Sequence, residues 1–320
     1  MKIMNAAKIL SIILLASQAS FAASTTAAAF LKMDSSARSY ALGQSGVVSA
    51  LGAEAIGSNP ANLTDLSRKM ELLTTYSSLT EGVSYAHIAG AVNRSMRKNM
   101  FVDALGFSYT SLAVSGLEGR DNSGNRTSDF GSSDSQMSIS MAGNYKSLKL
   151  GLTGKIVQSK IASFKANTVF AADMGASCSF QSFGKAMTAG ASLNNLGQQV
   201  TYLSEKDSLP TSLNMGLTTD VGPLSLTGGL TQKIKTNETN MNFGMEFNFG
   251  MISLRAGVNA LGGASAGRTG GAAGIFEGLS SGIGLKLGMA RVDYALGQES
   301  ADLGISQRMS LTLQFGKKAK

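Results

Sequence analysis

The chain has 320 residues, 43% of them hydrophobic, with a mean hydropathy of +0.08 and a formal charge of +8. These values exclude a disordered chain, and because no internal stretch approaches about 20 apolar residues they exclude a bundle of membrane helices. One Cys, one His and no Trp leave no disulfide framework and no His-based metal site, while 38 Gly against 3 Pro suit strands and turns better than helices.

The N-terminus carries the longest mainly apolar run, Ile9 to Ala16, broken only by Ser11, preceded by Lys2 and Lys8 and followed by Ser20-Phe21-Ala22. A basic start, a short apolar stretch and a small-x-small site predict a cleaved signal peptide over residues 1–22, and hence an exported chain. Residues 23–68 differ from everything after them. Ala and Ser dominate as far as Ser36, Ala37 to Gly43 predicts a helical turn or two, and Asn59-Pro60-Ala61 marks a tight turn. This element is too small to build a core of its own.

From residue 69 onward, short segments alternate apolar with polar or tiny residues. Met137, Ile139 and Met141 interleaved with Gln136, Ser138 and Ser140 give the clearest case. Successive side chains of a strand point to opposite faces, so each segment predicts a ribbon with one apolar and one wet side. About fourteen such strands fall at 69–78, 82–92, 101–112, 135–145, 148–158, 168–180, 185–194, 211–221, 224–233, 239–249, 252–260, 278–287, 289–296 and 304–315. Apart from the first few connections, the spacers alternate: Lys146-Ser147, Gln181 to Gly184, Gly222-Pro223, Gly250-Met251 and Gly288 are short, whereas 113–134, 159–167, 195–210, 261–277 and 297–303 are long and mostly polar. Membrane barrels keep that parity; a soluble sandwich has no reason to.

Charges follow the same division. Leu148, Leu150, Leu152 and Ile156 are assigned to lipid, as are Met241, Phe243, Met245, Phe247 and Phe249. Lys149, Lys155, Asp173, Glu246, Arg255, Arg291, Asp293 and Arg308 all fall on the opposite, lumen-facing phase. A lipid-facing Arg or Lys near the midplane costs about 2–4 kcal/mol, which makes the segregation a physical requirement of a bilayer wall. Tyr76, Tyr85, Tyr109, Phe180, Phe249 and Phe315, near segment ends, are expected as a thin aromatic girdle. Asp103 and Gln307 break the phase and are expected at strand ends.

Chemistry-bearing patterns are sparse. His87 lies mid-strand with no nucleophile-elbow motif near it, and the glycines at Gly43-Gln44-Ser45-Gly46 and Gly262 to Gly274 have no phosphate-binding Lys. Asp121, Asn122, Asn125, Asp129 and Asp134 lack the spacing and closing Glu of a calcium loop and read as a hydrated surface loop. Cys178, in phase with Phe170, Met174 and Phe180, reads as a wall residue. The cations do not cluster beside base-stacking aromatics, so nucleic acid is not an expected partner. No enzyme, cofactor or metal is expected.

Phe30-Leu31-Lys32-Met33, Ser36-Ala37-Arg38, Ala41-Leu42-Gly43 and Ala55 to Leu63 resemble the mature N-terminus of the PorV/PorQ family, a branch of the FadL-type outer-membrane barrels. Asp293 to Leu296 and Leu303 to Leu311 resemble that family's last hairpin. The resemblance implies an all-β, 14-stranded transmembrane barrel in the outer membrane over residues 69–315, with a basic tail at 316–320. Its lumen is blocked by a plug at 23–68 whose motif is Gly43 with Asn59, Pro60 and Ala61. It further implies an accessory role in secretion, with secreted cargo proteins or secretion components as partners. A FadL-like channel for fatty acids or other hydrophobic small molecules is the alternative. The polar inner phase, with little apolar lining to hold an acyl chain, favours the first reading.

Overall fold

In the computed structural model, residues 26–79, 82–93, 102–121, 123, 125–162, 164–202, 205–262, 278–300 and 304–318 are described. The expected signal peptide, the glycine run after Gly262, Asn122 and Leu303 lie outside them. Fourteen strands form the wall: β1 Arg68–Ser78, β2 Val83–Asn93, β3 Ala104–Leu117, β4 Phe130–Tyr145, β5 Leu148–Ile161, β6 Val169–Ser182, β7 Lys185–Gly197, β8 Ser212–Val221, β9 Leu224–Lys233, β10 Glu238–Phe249, β11 Ile252–Gly262, β12 Leu279–Leu287, β13 Ala290–Ser300 and β14 Gly304–Lys318. Each pairs antiparallel with its chain neighbours, and β1 with β14 completes the ring, Met70 opposite Phe315 and Thr75 opposite Ser310. Closure leaves no strand edge unpaired, the condition for backbone to cross lipid.

The wall is inverted relative to a soluble protein. On β4, Met137, Ile139 and Met141 are 51%, 66% and 43% exposed while Ser138 and Ser140 between them are 2% and 0% exposed. The same holds for Leu150 and Leu152 against Thr153, and for Phe243 and Met245 against Asn242 and Glu246. Water would not tolerate an apolar belt around the whole molecule, since soluble monomers rarely expose patches beyond a few hundred Å². Lipid is therefore its neighbour, and the polar side chains turn inward.

The turns Gly222-Pro223, Gly250-Met251 and Gly288-Met289 begin with a glycine at φ +63, the conformation that a tight hairpin of the II′ type needs at its first central residue. They share the end of the barrel where β1 starts and β14 finishes. At the opposite end β3 and β4 run past the lengths expected from alternation. They stay paired as far as Leu117 and Phe130 beyond a bulge, because a hairpin above the bilayer no longer needs two-faced patterning. Residues 200–202 and 205–207 form a further short hairpin there. Residues 316–318, expected as a tail, instead extend β14, with Arg68 opposite Lys318. Tyr85 also departs from its expected girdle position. It is 1% exposed and turned into the lumen, where the Arg308 guanidinium lies 5.4 Å from its ring centre.

Residues 26–67 run through the interior. Three 3₁₀ turns, Ala29–Lys32, Gly52–Gly57 and Pro60–Thr64, and two single-turn helices, α1 Ala37–Ala41 and α2 Gly46–Ser49, make up the segment. Ser36 caps α1 by accepting the Ser39 N–H, and Asn59 caps the last turn, with Pro60 at its first position. Helices this short are unstable alone, so the wall must hold them.

Candidate functional site

The plugged lumen is where buried polar and ionised groups converge. Its centre is a closed ring of alternating charges. Arg38 of α1 grips Glu246 of β10 with two hydrogen bonds, Nη2 to Oε2 at 2.6 Å and Nε to Oε1 at 3.3 Å. Arg255 of β11 donates to Glu246 at 3.0 Å and to Asp293 of β13 at 2.8 Å, and Arg291 donates to Asp293 at 2.7 Å. Arg291 also pairs with Glu54 of the plug, whose other oxygen lies 3.6 Å from Arg38, closing the ring. Three guanidinium groups and three carboxylates sum to zero, so none is an isolated buried charge. Burial, the largest single influence, opposes the charge on Arg38, yet Glu246 together with the Asp293 and Asp220 carboxylates holds the guanidinium above its ordinary pKa.

Other contacts pin the plug at separate points. Lys149 of β5 binds Asp65 at 2.5 Å, and Arg308 of β14 donates to the Asp34 carbonyl at 2.5 Å with its guanidinium 4.5 Å from the Tyr40 ring centre. Glu71 of β1 accepts the N–H groups of Ser67 and Ala53 at 2.9 and 3.2 Å. Asn59 donates to the carbonyls of Val47 and Ala176, at 2.9 and 3.3 Å. Asn59 and Ala61 are 0% exposed, so this turn is interior. Gly43, at φ +67, accepts a 2.7 Å bond from Asn242 through its carbonyl.

The inner wall is carved to the plug's shape. A Cβ on Gly151 would collide with the Pro60 backbone, on Gly175 with Asn59 Oδ1, and on Gly257 with the Gly43 nitrogen. Much of the unusual glycine content is therefore a bed for the plug. Gly257→Ala is expected to lower stability by about 1–3 kcal/mol through overpacking. Gly154→Ala, where nothing lies within 4 Å of the added carbon, should be close to neutral. The urea midpoint of the folded, fast-migrating form on gels reads both.

A second feature lies toward the long-loop end, and it corrects the expectation that the inner face has little apolar lining. Val157 of β5 and Val169 and Ala171 of β6 turn apolar side chains inward and pack with Ala166, Val200 and Leu209 around Phe30, which is 1% exposed. Beneath this cluster Lys155 pairs with Asp173 at 2.6 Å and donates to Asn195 Oδ1 at 2.7 Å. Strict alternation does not reveal the cluster. Its signal was the doublets Ile156-Val157 and Val169-Phe170, which are apolar on both faces and stand opposite one another. Arg38 and Glu54, whose pairing no local pattern predicts, are the only charged residues between 35 and 64.

His87 is buried in the wall with Nδ1 2.8 Å from Thr110 Oγ1, and no nucleophile and acid are aligned with it among the described residues. Asp121 is engaged within its own loop, Oδ1 accepting the N–H groups of Ser123 and Asn125 at 2.9 Å each. Among the described residues no three metal-ligating side chains come together.

The fold and its interior thus define a class: a transmembrane 14-stranded β-barrel filled by its own N-terminal segment. No protein-family model matches the chain, and no curated protein does. Among solved structures it is similar to the CymD monoaromatic hydrocarbon channel, with a TM-score of 0.60 and 14% identity over 88% of this chain and 98% of that one. It is also similar to the Pseudomonas putida toluene transporter TodX, with a TM-score of 0.56 and 12% identity over 87% and 97%. At these identities the likeness is one of fold.

Proposed function

We propose that this protein is an outer-membrane channel for small hydrophobic molecules. The observation that carries the reading is the apolar cluster around Phe30, built on the inner wall toward the long loops and separate from the cluster of Ile56, Leu63 and Leu73 that seats the plug nearer the other end. A pure structural plug has no need of it, since the ring, the glycine bed and the apolar seat of Ile56 and Leu63 already hold residues 34–67. The barrel's fold, shared with channels named for monoaromatic hydrocarbons and toluene, supports the same reading. Phe30 sits on a single 3₁₀ turn, and Ala27 just before it donates a main-chain bond to the Ser208 carbonyl at 3.1 Å. Its ring occupies the place a ligand would take.

Phe30→Ala is therefore expected to tighten binding of radiolabelled toluene to the purified protein about tenfold, because the ligand no longer competes with the ring. Unchanged affinity would remove the cluster from the transport path. In cells, uptake of the same probe should depend on the protein.

A second reading keeps the PorV/PorQ resemblance: an accessory barrel whose loops bind secreted cargo proteins. The tightly pinned plug favours it, since such a barrel need conduct nothing. Co-purification of secreted proteins, with toluene or oleate uptake unaffected by loss of the barrel, would establish this reading over the first.

A further inference from the structure

The apolar cluster rests on an ion pair. Lys155 stands directly across from Ala171, and Val157 follows two residues along the same face, so the Lys155 ammonium forms the floor beneath the residues that hold Phe30. Its charge is answered in place. Asp173, 0% exposed, lies 2.6 Å from Nζ, and Asn195 Oδ1 lies 2.7 Å away. The arrangement is built, not incidental. At a bulge between β6 and β7, Asn195 takes a left-handed conformation at φ +59 that turns its N–H onto Asp173 Oδ1 at 2.8 Å. Its side-chain amide donates to the Pro210 carbonyl at 3.3 Å, and the Thr211 hydroxyl donates to the Asn195 carbonyl at 3.0 Å. Loop, bulge and both strands together fix where the carboxylate sits.

We propose that Asp173 is a specificity-determining residue: by neutralising Lys155 at the floor, it confines the site to uncharged ligands of about one aromatic ring and excludes their carboxylated counterparts. The inference rests on the channel reading above. The size follows from Phe30, whose single ring fills the cluster. The charge rule follows from burial, since a carboxylate leaving water needs a counter-ion, and the one ammonium beneath the cluster is already committed to an internal carboxylate. Lys32, on the Phe30 turn itself, is exposed and belongs to the mouth.

The test compares p-xylene with p-toluate, in which one methyl group is replaced by a carboxylate, by equilibrium binding to the full-length protein in detergent. The wild type should bind xylene and bind toluate at least about tenfold more weakly. Asp173→Asn keeps an oxygen to accept the Asn195 N–H but leaves the ammonium unanswered. It should gain toluate affinity by about tenfold or more and hold xylene within about twofold. Adding Lys155→Met to Asp173→Asn should abolish the gain while xylene still binds, and heat-modifiable migration confirms that each variant is folded. A merely structural Asp173 would produce no gain for the acid. Wild-type protein that binds both compounds equally, or an Asp173→Asn variant with no gain, overturns the specificity rule alone. Wild-type protein that binds neither overturns the channel reading and this inference with it.

Discussion

Removal of residues 26–66 is expected to raise single-channel conductance in planar bilayers by about tenfold or more. The wall does not need the plug to span lipid: its backbone hydrogen bonds close from strand to strand around the ring, and its apolar belt faces outward. The plug fills the interior, touching strands all round the barrel from Ser310 on β14 to Gly151 and Gly175 on β5 and β6. Once it is gone, inward-facing Thr75, Ser138, Ser140, Thr153 and Asn242 become a wetted lining. Lys149 loses Asp65 and Glu71 loses the Ala53 N–H, and both turn to water. Conductance unchanged by the deletion, in a variant that still migrates as a folded barrel, would show that residues 26–66 are not what closes the lumen.

Much of the wall was legible in the sequence because lipid and lumen impose opposite demands on alternate residues. Ile139 between Ser138 and Ser140 can face only one way in a bilayer, and eight charges on one phase repeat that constraint along the chain. Turn glycines at 222, 250 and 288 added the short connections, each for a conformational reason. The interior was harder to read. Arg38 and Glu246 stand 208 positions apart, and no local pattern announces a partner at that distance. The plug's single-turn helices are too short for periodicity, so their path is dictated by where the wall lacks side chains. That cue lies in glycines on strands distant in sequence. The apolar cluster was obscured for a different reason: Val157 and Val169 adjoin the lipid-facing Ile156 and Phe170, so an apolar doublet reads as extra wall unless each phase is followed separately.

The second large effect is expected at the ring. Asp293 alone bridges Arg255 and Arg291, at 2.8 and 2.7 Å, and all three side chains lie inside the wall. Asp293→Ala leaves three guanidinium groups facing two carboxylates, and removing one partner from a buried pair costs about 3–5 kcal/mol. Gly284 sharpens the effect. Its missing side chain is what lets the Arg255 and Asp293 head groups occupy that space, with Arg255 Nη2 and Asp293 Oδ1 2.6 and 2.7 Å from where a Cβ would lie. Replacing Arg255 by Met and Asp293 by Leu together should cost far less than Asp293→Ala alone. It removes one charge of each sign and leaves two complete pairs, Arg38 with Glu246 and Arg291 with Glu54. The two sites touch, so additivity is not expected, and the sign of the coupling is the prediction. Urea unfolding followed by gel mobility measures the barrel, and protease cleavage within residues 34–67 measures release of the plug. If the double variant proves no more stable than Asp293→Ala, the ring is not acting as a balanced unit, and the plug is held by packing on the glycine bed instead.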